Sequence, residues 1–164
     1  MTHASTSPLP LLSRSRARPI RTILLATDLT PASDEATDRA VDLAARLGAR
    51  LVIVNVLEHR RLAGGGSHDR VDQARSERET QLMVLVKRAR DLGATAEFLV
   101  WTGDPGGSIA AAADAEGADL VVVGTRGRSG AERMILGSVS DHVVRNAECP
   151  VLVVRPPAPR STRT

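Results

Sequence analysis

The sequence predicts an α/β fold: a single-domain, open parallel sheet of five strands with helices on both faces. Short runs of almost only aliphatic residues alternate with longer amphipathic stretches along the 164 residues of the chain. Strands buried on both faces have this aliphatic composition, and their alternation with helices implies parallel strands joined by right-handed crossovers. If the fourth strand returns beside the first, the strand order across the sheet is 3-2-1-4-5.

The predicted strands and helices follow the apolar pattern of the chain. The five strands are expected at short, mostly apolar runs, which are residues 23–26, 51–56, 95–101, 120–123 and 151–154. The four helices are expected between these runs, over residues 31–47, 69–92, 105–116 and 137–147. The glycine-rich residues 64–66 lie in a loop between the second strand and the second helix.

Capping residues mark the ends of three of these helices. Thr30 and Asp104 each precede a proline, and this pair is typical of an N-cap followed by the first helical position. Gly48, Gly93 and Gly117 follow the last apolar position of a helix, where glycine readily adopts the left-handed conformation that ends it. The helix boundaries therefore come from backbone chemistry as well as from periodicity.

The net charge of +3 is unevenly distributed along the chain. Seven arginines and no acidic residue lie in residues 1–21 and 155–164, which leaves a net charge of −4 on residues 22–154. An acidic core argues against a nucleic-acid surface, even with arginine tails. Phe98 and Trp101 are too few aromatics for a platform that stacks successive bases. We therefore expect no nucleic-acid partner.

The two ends of the chain differ in composition from its middle. Residues 1–19 are rich in Ser, Pro and Arg, and residues 156–164 in Pro and Arg, so two disordered tails are expected around a domain of residues 20–155. No apolar run approaches the roughly 18 residues of a membrane span, and the single cysteine excludes an internal disulfide. These features predict a cytoplasmic protein without a membrane partner.

Three glycines and two serines follow the fourth strand at a distinctive spacing. The strand runs into Gly124 and then Gly127, and Gly137 begins the last helix together with Ser138 and Ser140. Glycine lets the backbone approach a ligand closely, and the N–H groups of a helix N-terminus attract anions. The spacing Gly-x2-Gly-x9-Gly-Ser therefore predicts a phosphate-holding loop, with turn glycines before a helix as the alternative. The serines can cap the helix and bind phosphate with the same geometry.

This loop faces the end of the first strand in the predicted topology. Ligands of open parallel sheets bind beyond the carboxyl ends of the strands, where the strand order reverses. In the order 3-2-1-4-5 this crevice lies between Asp28 and Gly124. Asp28 is then expected to bind a ligand rather than only to stabilise a turn. Arg126 and Arg128 either pair with phosphates or are solvated loop charges.

The chain resembles universal stress proteins over residues 20–155. The resemblance rests on Ile23-Leu24-Leu25-Ala26-Thr27-Asp28, residues 52–56, Gly103-Asp104-Pro105, the glycine loop and Cys149-Pro150-Val151-Leu152-Val153-Val154. The glycine motif matches that of the nucleotide-binding branch of the family in full. The resemblance implies a flavodoxin-like, Rossmann-like fold that binds ATP and dimerises through the last strand.

The resemblance also implies roles for individual residues. Asp28 matches the acid that meets the ribose and adenine, and Val56 matches the strand end whose backbone reads adenine. The residues that match the triphosphate cradle are Gly124, Gly127, Gly137, Ser138 and Ser140. The complete set of expected ATP-binding residues is Ala26, Thr27, Asp28, Val56, Val123, Gly124, Thr125, Arg126, Gly127, Arg128, Gly137, Ser138, Val139 and Ser140. Mg²⁺ is expected to accompany the phosphates and to stay mostly hydrated. Asn55 departs from the many members that have histidine there.

We interpret the sequence as an ATP-binding regulatory module of the stress response that forms a homodimer. No residue stands out as a base that could activate water, and the only lysine, Lys87, lies outside the loop. We therefore expect no catalytic residue and no metal site made of protein side chains. The alternative is a slow ATPase or a nucleotidyl-transfer enzyme on the same fold. Related adenylating enzymes would carry Ser-Gly-Gly after the first strand, where this chain has Thr27-Asp28-Leu29-Thr30.

Overall fold

A computed structural model describes residues 18–58, 68–125 and 136–156 of the chain. The strands of these residues are β1 (Thr22–Ala26), β2 (Arg50–Glu58), β3 (Thr95–Gly103), β4 (Leu120–Gly124) and β5 (Val151–Val154). Their α-helices are α1 (Asp34–Leu47), α2 (His68–Asp91), α3 (Pro105–Ala115) and α4 (Ser138–Asn146). Most of the two predicted tails lies outside the described residues, as does the part of the glycine loop at 126–135.

The sheet is parallel throughout, and its strands follow the order β3-β2-β1-β4-β5. The predicted fold class and the predicted order 3-2-1-4-5 are confirmed. At the end of β1, Ala26 pairs with Val54 of β2 on one side and with Val123 of β4 on the other. The strand order therefore reverses at β1, and the switch point of the topology lies between β1 and β4.

Apolar side chains pack on both faces of the sheet. Leu25 of β1 packs in a layer with Leu82 of α2, beneath α1 and α2. The preceding residue, Leu24, points to the other face and packs with Ile109 of α3 and Val143 of α4. Coverage on both faces explains why the inner strands β1 and β4 have an aliphatic composition with no polar alternation. No helix in the described residues is long and apolar enough to cross a membrane.

Helix α1 begins later than the sequence predicts. Residues Pro31–Ser33 form a 3-10 turn, and the α-helix starts at Asp34. The side chain of Thr30 caps neither segment, because its Oγ1 donates a hydrogen bond to Oδ1 of Asp28 at 2.7 Å. The threonine hydroxyl therefore stabilises the preceding turn, and the chain tightens before it becomes α-helical.

Strands β2 and β3 are longer than the sequence predicts. They pair with each other over nine residues, from Arg50 with Thr95 to Glu58 with Gly103. This ladder continues beyond the end of β1, so the two strands satisfy each other's backbone groups where no third strand is present. Pairing between the two strands therefore extends them past the predicted apolar runs, to Glu58 in β2 and through Thr102 in β3.

The predicted caps at the other helix ends are confirmed. Gly48, Gly93 and Gly117 have φ values of 62°, 92° and 59°, in the left-handed region that glycine adopts without a steric penalty. At the start of α3, the carboxylate of Asp104 accepts a hydrogen bond from the N–H of Gly107 at 3.0 Å. These caps are local features, which is why the sequence was sufficient to predict them.

Candidate functional site

The carboxyl ends of β1, β2 and β4 meet at one edge of the sheet. The pairing of β1 with β2 continues past the end of β1, because the N–H of Thr27 donates to the carbonyl of Val54 at 3.0 Å. Val54 lies two residues before Val56, so the turn that carries Asp28 begins beside this part of β2. On the other side of β1, Ala26 pairs with Val123, two residues before Thr125, so the same turn begins beside the end of β4. Residues far apart in the chain therefore come together at the switch point.

Asp28 lies half-buried in the turn between β1 and α1. Its Oδ1 accepts hydrogen bonds from the N–H and the Oγ1 of Thr30, at 3.1 and 2.7 Å. Through these contacts Asp28 stabilises the turn, which is the alternative role that the sequence suggests for this residue. They also hold the carboxylate at the edge where β1 and β4 end.

The residue after Asp28 has an unusual backbone conformation. Leu29 has a φ of 60°, and it is the one non-glycine residue with a positive φ in the described part of the chain. Such a conformation costs about 1–3 kcal/mol and occurs preferentially at functional sites. The N–H of Leu29 donates to Oγ1 of Thr27 at 3.1 Å, and that oxygen also shares a hydrogen bond with Oγ of Ser33 at 2.9 Å. These contacts hold the turn in its strained form.

Two residues absent from the predicted site tie this turn to neighbouring elements. The buried Asn55 of β2 donates from Nδ2 to the carbonyl of Thr27 at 2.8 Å. Arg78 of α2 donates from Nη1 to the carbonyl of Asp28 at 3.3 Å. A polar residue inside an aliphatic strand is the sequence signal for Asn55. Arg78 has no such signal, because it is one of many charged residues on α2 and lies 50 residues from Asp28.

The N-terminus of α4 opens at the same edge of the sheet. Its N-cap is Gly137, whose N–H donates to the carbonyl of Thr125 at 3.0 Å. Within the described residues no side chain caps this helix. The expectation that Ser138 and Ser140 cap it is wrong, because Gly137 takes the N-cap position and both serines lie inside the helix. Oγ of Ser140 donates instead to the carbonyl of Gly137 at 3.2 Å. The first N–H groups of α4 therefore keep their capacity to bind an anion.

Close packing between α3 and α4 determines where this N-terminus lies. Gly106 is buried in the first turn of α3 and faces His142 of α4. A Cβ added at Gly106 would lie 2.8 Å from both Cβ and Cγ of His142, closer than real Cβ contacts allow. The absence of a side chain at Gly106 therefore permits the two helices to approach as closely as they do.

Most of the expected site residues lie along this edge. They are Ala26 at the end of β1 with Thr27 and Asp28 after it, Val56 in β2, Val123 and Gly124 at the end of β4 with Thr125 after it, and Gly137, Ser138, Val139 and Ser140 at the start of α4. Arg126, Gly127 and Arg128 lie outside the described residues. Nowhere in the described ranges do three His, Cys, Asp or Glu side chains come together as a possible metal site.

Sequence comparison identifies the family. A profile of the universal stress protein family matches residues 19–155. The chain belongs to the universal stress protein family. Among its relatives, universal stress protein MJ0531 of Methanocaldococcus jannaschii is 35% identical over 108 residues, which cover 65% of this chain and 64% of that protein. The match spans 60% and 56% of the lengths of two further curated relatives.

Solved structures share the fold of this universal stress protein. The structure of MJ0577 from Methanocaldococcus jannaschii has a TM-score of 0.78 at 21% identity, and the match covers 86% of this chain and 99% of that one. A universal stress protein crystallised in complex with cAMP has a TM-score of 0.65 at 30% identity, with 84% and 98% of the two chains covered. At 21% identity the first likeness concerns the fold alone.

Proposed function

We propose that this universal stress protein binds ATP at the carboxyl edge of its sheet and acts as a regulatory module of the stress response. The observation that carries the proposal is the N-terminus of α4, which has a glycine N-cap and no capping side chain within the described residues. This N-terminus contacts Thr125 just after β4, beside the switch point of the sheet. An anion such as a phosphate binds favourably in that position.

The phosphates are proposed to lie between the glycine loop and α4. The backbone at Gly124 and Gly127 would approach them closely, and the N–H groups at Ser138 and Val139 would donate to their oxygens. Mg²⁺ would bind the phosphate oxygens and neutralise part of their charge. Because Mg²⁺ keeps several of its waters, a complete set of protein ligands is not required.

The nucleoside is proposed to lie between the ends of β1 and β2. The carboxylate of Asp28 would accept a hydrogen bond from a ribose hydroxyl, and the backbone of Val56 would contact the adenine. The hydrogen bonds from Thr30 fix Asp28 before any ligand arrives, so little conformational entropy is lost on binding. A preorganised turn therefore supports the assignment of this part of the edge to the nucleoside.

The cAMP complex of a relative supports a nucleotide as the ligand. That protein is 30% identical to this chain. An adenine, a ribose and a phosphate are common to cAMP and ATP, so a site for one contains most of the contacts needed by the other. The choice of ATP rests on the complete Gly-x2-Gly-x9-Gly-Ser spacing, whose backbone N–H groups would be the donors for a longer phosphate chain.

Isothermal titration calorimetry with Mg-ATP tests this proposal. We expect the wild-type protein to bind ATP with a micromolar Kd or better. Gly127→Val should weaken binding by about tenfold or more, because a branched side chain blocks backbone approach to the phosphates. Gly130→Val is the matched control, since Gly130 is in the same loop but at a variable position of the motif. Equal ATP affinity in wild type and Gly127→Val would contradict the loop assignment, and no binding by the wild type would contradict the proposal.

A further inference from the structure

Trp101 is the only tryptophan of the chain, and it lies half-buried near the carboxyl end of β3. In the parallel ladder of β2 and β3, Trp101 pairs with Val56. Both side chains pack, partly buried, against the core layer beneath α3 and α4. The indole therefore stands next to the residue proposed to contact the adenine, on the same face of the sheet.

The position of Trp101 along the edge makes a contact with the base feasible. The strands β3, β2 and β1 are consecutive, and neighbouring strands lie about 4.8 Å apart. Trp101 is therefore one strand away from Val56 and two strands away from the β1 end that carries Asp28. The N-terminus of α4, proposed to hold the phosphates, belongs to the helix layer on this same face. Base and phosphates thus have their proposed contacts on one side of the sheet.

The other aromatic residue of the chain, Phe98, lies on the opposite face of the sheet from Trp101. Phe98 lies in the same strand, three residues earlier, so its side chain points to the opposite face. It packs against the core layer beneath α1 and α2. Only one of the two aromatic rings therefore faces the side of the sheet where the site is proposed.

We propose that the indole of Trp101 forms the outer wall of the nucleobase pocket and stacks on the base. This inference rests on the proposed ATP site and adds a specificity residue to it. Stacking of a base on an aromatic side chain changes affinity by about 5- to 150-fold. A polyphosphate without a base gains nothing from the indole, and a purine offers more stacking area than a pyrimidine. Trp101 thus selects purine nucleotides over inorganic polyphosphates at this site.

Tryptophan fluorescence of the wild-type protein provides the first test. Because the chain has one tryptophan, its whole tryptophan emission reports the surroundings of Trp101. ATP should change that emission with a midpoint equal to the Kd from calorimetry. Inorganic tripolyphosphate, which lacks a base, should leave the emission almost unchanged at concentrations that saturate the phosphate site.

Substitutions provide the second test. Trp101→Leu should lower ATP affinity about tenfold and leave tripolyphosphate affinity unchanged, because the indole contacts only the base. Trp101→Phe retains a smaller ring and should stay within about threefold of the wild type. Phe98→Leu is the matched control: it removes an aromatic ring from the same strand but from the opposite face, and it should keep the wild-type ratio of ATP to tripolyphosphate affinity.

The possible outcomes separate this inference from the proposed function. If the wild type binds ATP by calorimetry but ATP does not change the emission, the Trp101 inference is overturned and the ATP site stands. If Trp101→Leu binds ATP as tightly as the wild type does, the Trp101 inference is likewise overturned and the ATP site stands. Equal losses for ATP and tripolyphosphate in Trp101→Leu also overturn it, because the effect would then be one of folding. If the wild type binds no ATP, both proposals fail.

Discussion

The turn between β1 and α1 depends on a few individual side chains. Asp28 accepts two hydrogen bonds from Thr30, and Asn55 and Arg78 each donate to a carbonyl of the turn. A buried carbonyl without a donor would cost about 1–3 kcal/mol, so these contacts stabilise a conformation that is otherwise strained. Three separate elements therefore hold the position of one carboxylate.

The contribution of Asp28 to binding can be separated from its contribution to the turn. Asp28→Ala should weaken ATP binding but leave tripolyphosphate binding nearly unchanged, because the proposed contact is to the nucleoside. Asp28→Asn is the matched variant, since its amide oxygen can still accept hydrogen bonds from Thr30. Calorimetry with both ligands measures the difference. If tripolyphosphate lost as much affinity as ATP, Asp28 would belong to the phosphate site or only to the fold.

A second carboxylate, Asp119, stabilises the start of β1. Its Oδ2 accepts hydrogen bonds from the N–H groups of Arg21 and Thr22, at 2.8 and 3.0 Å. These backbone donors favour the charged form and lower the pKa of Asp119 below its ordinary value. A lowered pKa in the folded state means that Asp119 stabilises the protein above its unfolded pKa. This stabilisation is lost as the pH falls through the folded pKa.

Acid unfolding tests the role of Asp119. At neutral pH, Asp119→Asn should be less stable than the wild type, because a neutral amide oxygen is a weaker acceptor. The difference should shrink as the pH falls below the unfolded pKa of about 3.9 and then through the lower folded pKa, where the carboxylate of the folded wild type becomes protonated. Urea unfolding curves at neutral and acidic pH measure both values. A difference in stability that does not change with pH would contradict this account.

Helix α4 is positioned by two contacts, one at its N-cap and one in its second turn. Its N-cap, Gly137, is hydrogen-bonded to Thr125, and its second turn packs against the bare backbone of Gly106 through His142. The helix itself is only nine residues long, so tertiary contacts stabilise it far more than helix propensity does. Its exact position determines where the first N–H groups point.

Two adjacent glycines of α3 allow a matched test of this packing. Gly106→Ala should destabilise the protein by about 1–3 kcal/mol, because the new Cβ overlaps His142 unless α4 moves. Gly107→Ala should be neutral or stabilising by about 0.5–1 kcal/mol, because the nearest atom is Oδ2 of Asp104 at 3.6 Å and alanine favours the helix. Urea unfolding distinguishes them. Equal stability of the two variants would contradict the packing argument.

At the scale of the whole molecule, β5 forms one edge of the five-stranded sheet. Among the described strands, β5 pairs with β4 alone. The carbonyls of Pro150 and Val154 accept hydrogen bonds from the N–H groups of Val121 in β4 and of Thr125 just after it, each at 2.9 Å, so by alternation Leu152 also faces β4. The backbone groups of Val151 and Val153 then point outward. An apolar edge of this kind is a template for pairing with a second copy of the chain.

We predict a homodimer in which residues 151–154 of two copies pair. Val153→Pro removes an outward N–H and leaves the ladder with β4 intact, so it should give a folded monomer. Leu152→Pro is the matched control, because it removes an inward N–H and should instead lower the stability of the fold. Sedimentation at tens of micromolar protein measures the assembly. A monomeric wild type, or a folded and dimeric Val153→Pro variant, would rule out this interface.

The sequence by itself determined the elements and their order. Short, mostly apolar runs predicted all five strands, and the caps at Gly48, Gly93, Gly117 and Asp104 are present in the structure. These features could be predicted because a strand buried on both faces, a left-handed glycine and an Asp-Pro helix start are each set by a few adjacent residues. The glycine spacing likewise predicts a ligand-binding loop at the switch point of the sheet.

Only the tertiary structure decided how distant residues combine at that edge. Mutual pairing extended β2 and β3 through polar residues, and the hydroxyl of Thr30 bonded to Asp28 instead of capping a helix. The contacts of Arg78 with the β1 turn and the register of Trp101 with Val56 have no local signature. The physical reason is that such contacts depend on the packing of whole helices and strands. Periodicity and capping describe one element at a time, whereas a site at a switch point is made by several.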